Sequence, residues 1–210
     1  MKQTTSWTNN EEFERQGYIC IKNILDPDKY SIEIPGKFRG SLWYRPKQNN
    51  PEFSILKPSI LETPDSFCRY DHPMYRYLHR SLGRKIEKII GRSVYPSYYA
   101  EMFYFGGDDR KGVKKDGGCE ITLTILINTS SNKSWPIWME NPRGLKRSVR
   151  LTRGDALLYK GCDIVSWRKT MPEGCWYEVS FYYVLQDGIY AHHAFAMDPH
   201  YNLTLVRINK

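Results

Sequence analysis

The 210-residue chain has no apolar run approaching about eighteen residues, so no membrane-spanning helix is expected. It has no Cys-x-x-Cys. Its five cysteines, Cys20, Cys68, Cys119, Cys162 and Cys175, are odd in number and irregularly spaced, which argues against a zinc site and against a disulfide framework. A reducing cytoplasm is the expected setting. The opening Met-Lys-Gln-Thr-Thr-Ser-Trp lacks the apolar centre of a secretion signal. Histidine is scarce: His72, His79, His192, His193 and His200 are all there are, and none lies between Arg80 and Ala191. No basic run is long enough to read as a disordered tail.

Positive charge is present, at net +8 from 31 Lys and Arg against 23 Asp and Glu. It is spread over Arg84, Lys85 and Lys88, over 110–115, and over 143–153. Such a distribution fits a solvated basic surface. It also fits an anionic partner such as a nucleic acid or a small polyacid. Tyr and Trp are plentiful, as in aromatic-rich β structure.

Along the chain, 1–12 is polar and expected to fray, and 13–25 reads as a brief helix followed by a strand through Tyr18, Ile19, Cys20 and Ile21. Segment 32–61, with Pro35, Pro46, Pro51 and Pro58, reads as an irregular cover, either a lid or plain packing. Asp71-His72-Pro73 opens the clearest helix. Met74, Tyr77, Leu78, Leu82, Ile86, Ile89 and Ile90 give its three-and-four spacing, and Gly91 ends it. His72 falls at its start and His79 on its polar side, as capping or solvated residues. Strands are predicted over 94–105, 120–128, 134–139, 148–151, 156–159 and 176–185, separated by Gly-, Asn-, Asp- and Pro-rich turns. Short strands with regular turns point to a sandwich or jelly roll, and the leading helix makes the class α+β. A tail over 187–210 carries His192-His193 and a last alternating run at 203–208.

In this order the segments Gly17 to Leu25, Ile86 to Tyr104, Cys119 to Thr124, Lys133 to Glu140, and Gly154 to Cys162 with Trp167-Arg168 resemble the iron- and 2-oxoglutarate-dependent oxygenases, especially the small hydroxylase-like proteins of phage and bacterial genomes. The resemblance covers most of the chain. It implies one domain over 1–210: a double-stranded β-helix (jelly-roll, cupin-like) core at 93–186, N-terminal support helices within 13–92, and a C-terminal extension at 187–210. If the chain is viral, its setting is the host cytoplasm. The resemblance also implies Fe(II) held by His-x-Asp and a distal His, leaving positions open for 2-oxoglutarate and O2.

Matched to that pattern, the ligand positions fall on Lys114, Asp116 and Ser166, or, with a one-residue shift in the hairpin, on Lys115 or Gly117, with no histidine either way. The carboxylate is kept and both imidazoles are replaced, so an ion pair between Lys114 and Asp116 is expected where the metal would sit. No metal and no cofactor are expected; Fe(II) and 2-oxoglutarate enter only if the chain is active. Arg168, helped by Tyr98 and Tyr104, is the candidate oxoglutarate anchor, with Lys160 as another cation near that strand. The favoured expectation is a degenerate oxygenase-fold protein, a pseudoenzyme binding an unknown small molecule or protein through the old pocket. Three readings stay beside it. One is an active hydroxylase whose metal is rearranged onto His192 or His193 with Asp116, Asp108 or Asp109. Another is a metal-free enzyme using Lys114 or Lys115. The last is nucleic-acid binding through a basic, aromatic-rich face.

Overall fold

The computed structural model describes residues 9–30, 67–70, 73–106, 110–114, 116 and 118–196, with 67–70 and 110–114 given by their backbone alone. The cover at 32–61, together with His72, Asp108, Asp109, Lys115, Gly117, His200 and the run 203–208, lies outside the described residues. The elements are helix α1 (Asn9–Gln16), strands β1 (Tyr18–Ile21) and β2 (Phe67–Tyr70), helix α2 (Pro73–Ile90), and strands β3 (Val94–Phe105), β4 (Arg110–Lys114), β5 (Ile121–Thr129), β6 (Ile137–Glu140), β7 (Lys146–Val149), β8 (Ala156–Lys160), β9 (Val165–Arg168) and β10 (Cys175–Leu185). Two antiparallel sheets result, a six-stranded one in the order β1-β8-β5-β10-β3-β2 and a four-stranded one in the order β4-β9-β6-β7. No helix among the described residues is long and apolar enough to cross a membrane.

Strand β10 lies at the centre because both its faces can be buried: every residue from Cys175 to Leu185 is out of solvent. Its period of two divides the side chains between two layers. Tyr177, Val179, Phe181 and Tyr183 join Leu123, Ile125 and Ile127 of β5 in a core that also takes Phe13, Tyr75, Leu82 and Ile86 from the helices. Trp176 and Tyr182 face the smaller sheet and join Leu126, Leu157, Ile137 and Met139. The order of layers is therefore helices, large sheet, interior, small sheet.

Helix α2 has the length that the spacing predicts, but its buried face is rotated from the predicted one. Tyr75, Leu78, His79, Leu82, Gly83, Ile86 and Ile90 are buried, while Met74 and Tyr77 are 39% and 81% exposed. His79 thus belongs to the core side, not to the polar side. Its Nε2 lies 3.0 Å from the Tyr182 carbonyl, which satisfies the polar tip of a ring surrounded by Tyr99, Phe181 and Tyr183. Helix α1 begins at Asn9, inside the stretch expected to fray. Phe13 holds it down, being 1% exposed in the outer core.

The turn at Gly154-Asp155 ties the N-terminal strand to the sheet. β1 pairs with β8 from Tyr18↔Tyr159 to Ile21↔Ala156. Just beyond it, the Asp155 carboxylate accepts from Lys22 Nζ at 2.7 Å, Asn23 N at 3.2 Å, and Thr152 N and Oγ1 at 2.9 and 2.6 Å. Burial pushes this carboxyl up, but the bonds from Lys22, Thr152 and Asn23 outweigh it and hold the pKa at about 2. Gly154 takes φ +83°, and a Cβ there would lie 2.7 Å from the Leu25 carbonyl oxygen.

Gly161, at the end of β8, brings two backbones together. It accepts from Asp116 N at 2.8 Å and donates to Glu120 O at 2.9 Å. A Cβ would lie 2.3 Å from the Cys119 carbonyl oxygen and 2.8 Å from Thr122 Oγ1. Gly161→Ala must therefore push the 116–120 segment away from β8. The expected cost is about 1–3 kcal/mol, read as a lower urea midpoint. An unchanged midpoint would show that the two backbones are not locked together.

Candidate functional site

Several side chains between the two sheets are polar, spread along the strands from the level of Thr122 to that of Glu178. β5 contributes Thr122 and Thr124, β8 contributes Tyr159, β9 contributes Ser166 and Arg168, and β10 contributes Glu178 and Ser180, all buried. Alternation places them there: in β9, Ser166 and Arg168 are buried while Val165 and Trp167 are partly exposed.

Lys114 and Ser166 are brought together by backbone register. They are directly opposed Cα partners in the β4–β9 pair, and Met139 of β6 is the partner of Ser166 on its other side. The Lys114 side chain lies outside the described residues, and with it the expected ion pair. Asp116 is buried, and its Oδ2 accepts from Thr122 Oγ1 at 2.7 Å and from Tyr159 OH at 2.8 Å. Thr122 and Tyr159 are themselves Cα partners across β5 and β8, so one rung of the sheet supplies both donors. The Cys162 thiol donates to the Asp116 carbonyl at 3.3 Å and stands 3.4 Å from the Cys119 carbonyl.

Arg168 is fully buried and engaged within the chain. One end of its guanidinium donates to Glu178 Oε2 and the other to the Trp135 carbonyl. It lies over the rings of Trp135 and Trp176, at 4.4 and 5.1 Å from their centroids. Trp176 Nε1 donates to the same Glu178 oxygen at 2.9 Å. Tyr98 stacks on Tyr182 at 4.3 Å, and Tyr104 meets Trp135 edge-on at 5.0 Å. Tyr98 and Tyr104 therefore line the same interior as Arg168. Lys160 points elsewhere, to Glu14 at 2.6 Å.

His192 and His193 sit in a 3-10 turn, Ala191–His193, not on a strand, so their rings meet edge to face at 4.2 Å instead of pointing apart. A Cβ on Gly118 would lie 2.9 Å from the His193 ring, which brings that imidazole to the 116–120 segment. Burial and the neighbouring His192 push the His193 pKa down. Among the described residues, no three His, Cys, Asp or Glu side chains converge as a metal-ligand group.

Sequence reasoning missed Glu178, Thr122 and Tyr159. Glu178 had a signal: an acid in the middle of an otherwise apolar and aromatic strand needs a buried cation or donor. Thr122 and Tyr159 had none, because their role depends on the register of β5 with β8.

No protein-family model matches the sequence, and a search of curated proteins finds no match. Solved structures do match in fold. One is SnoN, a non-heme alpha-ketoglutarate-dependent epimerase from nogalamycin biosynthesis, with a TM-score of 0.60 at 12% identity over 82% of this chain and 77% of that one. HygX of Streptomyces hygroscopicus, with nickel and 2-oxoglutarate bound, gives 0.56 at 11% identity over 82% and 84%. A prolyl-4-hydroxylase of Pseudomonas putida gives 0.54 at 9% identity over 82% and 94%. The chain is an α+β protein with the double-stranded β-helix fold of the Fe(II)/2-oxoglutarate-dependent oxygenases. At these identities the likeness is one of fold.

Proposed function

We propose that this chain is a metal-independent derivative of the oxygenase fold that binds a ligand or partner through the space between its sheets. One observation carries the reading: Lys114 and Ser166 are opposed in backbone register, and the carboxylate of Asp116, two residues on from Lys114, already accepts two hydroxyls. An Fe(II) site of this fold wants two neutral imidazoles and a carboxylate. A lysine repels a divalent cation while protonated, and a serine hydroxyl is a weak donor. These residues do not fit iron. The buried guanidinium that would anchor an oxoglutarate carboxylate has an internal counter-ion in Glu178, which also speaks against that co-substrate.

The test is titration calorimetry with Fe(II) or Mn(II) under anaerobic conditions, joined to metal analysis of the purified chain and an assay for succinate. Neither stoichiometric metal nor oxoglutarate turnover is expected. Stoichiometric Fe(II) together with turnover would overturn the reading. A second reading has one observation in its favour, the His193 ring against Gly118. It places a rearranged metal between that imidazole and Asp116. Metal binding that survives replacement of both His192 and His193 by Ala would remove it.

A further inference from the structure

The outer face of the small sheet carries a feature that the interior does not explain. In β6, Ile137 and Met139 are buried while Trp138 and Glu140 are partly exposed. In β9, Trp167 is likewise partly exposed. Trp138 and Trp167 are direct Cα partners, and their rings lie nearly parallel, 6.1 Å apart with 18° between planes. Neither belongs to the two hydrophobic cores. A large aromatic on the solvent side of a strand is otherwise replaceable by a polar residue, and here two stand side by side.

Positive charge surrounds this pair. The exposed Lys169 places its ammonium 5.0 Å over the Trp138 ring. On the other flank, 143–153 carries Arg143, Lys146, Arg147, Arg150 and Arg153 with no Asp or Glu. Lys146 pairs with Glu140 at 3.5 Å and Arg153 pairs with Asp28. Arg147 is the Cα partner of the buried Met139, so it starts from the inner side of the sheet. Arg143, Arg150 and Lys169 are exposed and have no carboxylate partner among the described residues. Elsewhere on the surface, Lys22, Arg92, Lys133 and Lys160 are paired, while the exposed Arg84, Lys85 and Lys88 of α2 also lack a carboxylate among the described residues. Of the cations without a carboxylate, Lys169 thus stands over one indole, and Arg143 and Arg150 lie on either side of β7, the strand next to Trp138.

We propose that this face, centred on Trp138 and Trp167 and bordered by Arg143, Arg150 and Lys169, binds single-stranded nucleic acid. Bases stack on indole faces whatever their sequence, and guanidinium and ammonium groups take the phosphates. A duplex keeps its base faces covered and would use only the cations. An acidic peptide would likewise leave the indoles idle. The inference does not depend on whether the interior holds a metal.

The experiment is fluorescence anisotropy of the full chain with labelled oligo(dT) and oligo(U) of about ten nucleotides, and with a duplex of equal length. Both single strands are expected to bind at about 50 mM salt and to weaken steeply by about 200 mM. The ratio of the two affinities separates DNA from RNA as the natural source. Trp167→Leu is expected to weaken single-strand binding by roughly 5-fold or more. Because that change also removes a cross-strand pair, a second variant keeps the sheet intact. Reversing the exposed Arg150 and Lys169 to Glu should flatten the salt dependence by about 0.7 for each phosphate no longer neutralised. Overturning results are no binding at low salt, a preference for the duplex, equal competition by polyglutamate, or full affinity in the Trp167→Leu chain.

Discussion

Glu178→Leu is expected to destabilise the protein by about 3–5 kcal/mol, a large part of the total for a domain of this size. The cause is the charge left behind. Arg168 is fully buried between Trp135 and Trp176, and Glu178 is its carboxylate. Of these contacts, the guanidinium then keeps the Trp135 carbonyl and two aromatic faces, none of which carries a full negative charge. Trp176 Nε1 also loses its acceptor. Arg168→Met alone should cost a similar amount, by stranding the carboxylate. Replacing both, Arg168→Met with Glu178→Leu, should recover most of the loss, because a buried pair contributes little relative to well-packed apolar side chains. Urea unfolding followed through tryptophan emission gives all three values. Additive losses in the double variant would mean that the two side chains are not coupled.

Mild acid is expected to destabilise the chain through His79. Burial lowers its pKa from 6.5 to about 3, with the bond at the Tyr182 carbonyl opposing and Arg80 adding to the shift. Between those values the unfolded chain binds a proton that the folded chain refuses. Stability is therefore fully present above about pH 6.5 and falls by roughly 1.4 kcal/mol per unit as pH drops toward 3, for a total on the order of 5 kcal/mol. His193 acts in the same direction, its pKa being lowered too. Asp155 adds its own loss only at lower pH, from 3.8 toward about 2. Urea midpoints between about pH 6.5 and 4.5 read the two histidines together and leave Asp155 out. His79→Gln, which keeps a donor for the Tyr182 carbonyl, should flatten most of that slope. An unchanged slope in this variant would place the acid sensitivity elsewhere.

Much of the fold is legible in the sequence because its signals are local. β3 spans the predicted 94–105, since Gly91 and Gly106 bracket an aromatic, β-prone run. β10 and β8 differ from prediction by one residue at one end. β6 starts later than predicted, at Ile137, after Pro136, which has no N–H to give a ladder. β4 and β9 are absent from the predicted strands: they are five and four residues long, and the pairing between them is irregular, with Arg110↔Arg168 and Lys114↔Ser166 as the matched positions. The rotated face of α2 is not legible either. His79 is core because Tyr99, Phe181 and Tyr183 come from strands far along the chain.

For the site, the resemblance to the oxygenases is what singles out Lys114 and Ser166, and the register sets the two backbones opposite each other. Their chemistry is not legible, because it depends on third residues. Thr122 and Tyr159 occupy Asp116, and Glu178 occupies Arg168.

The short N-terminal strand has a consequence beyond its four residues. β1 is the outermost strand on its side of the large sheet, and its neighbour β8 is apolar along Ala156, Leu157 and Leu158. Any cleavage or competing contact that lifts β1 away would leave β8 as a bare edge with open N–H and carbonyl groups. Lys22 and Asp155 fasten the strand against that loss. Removal of the chain up to Lys22 is therefore expected to promote self-association through β8, read as a larger species on size-exclusion chromatography.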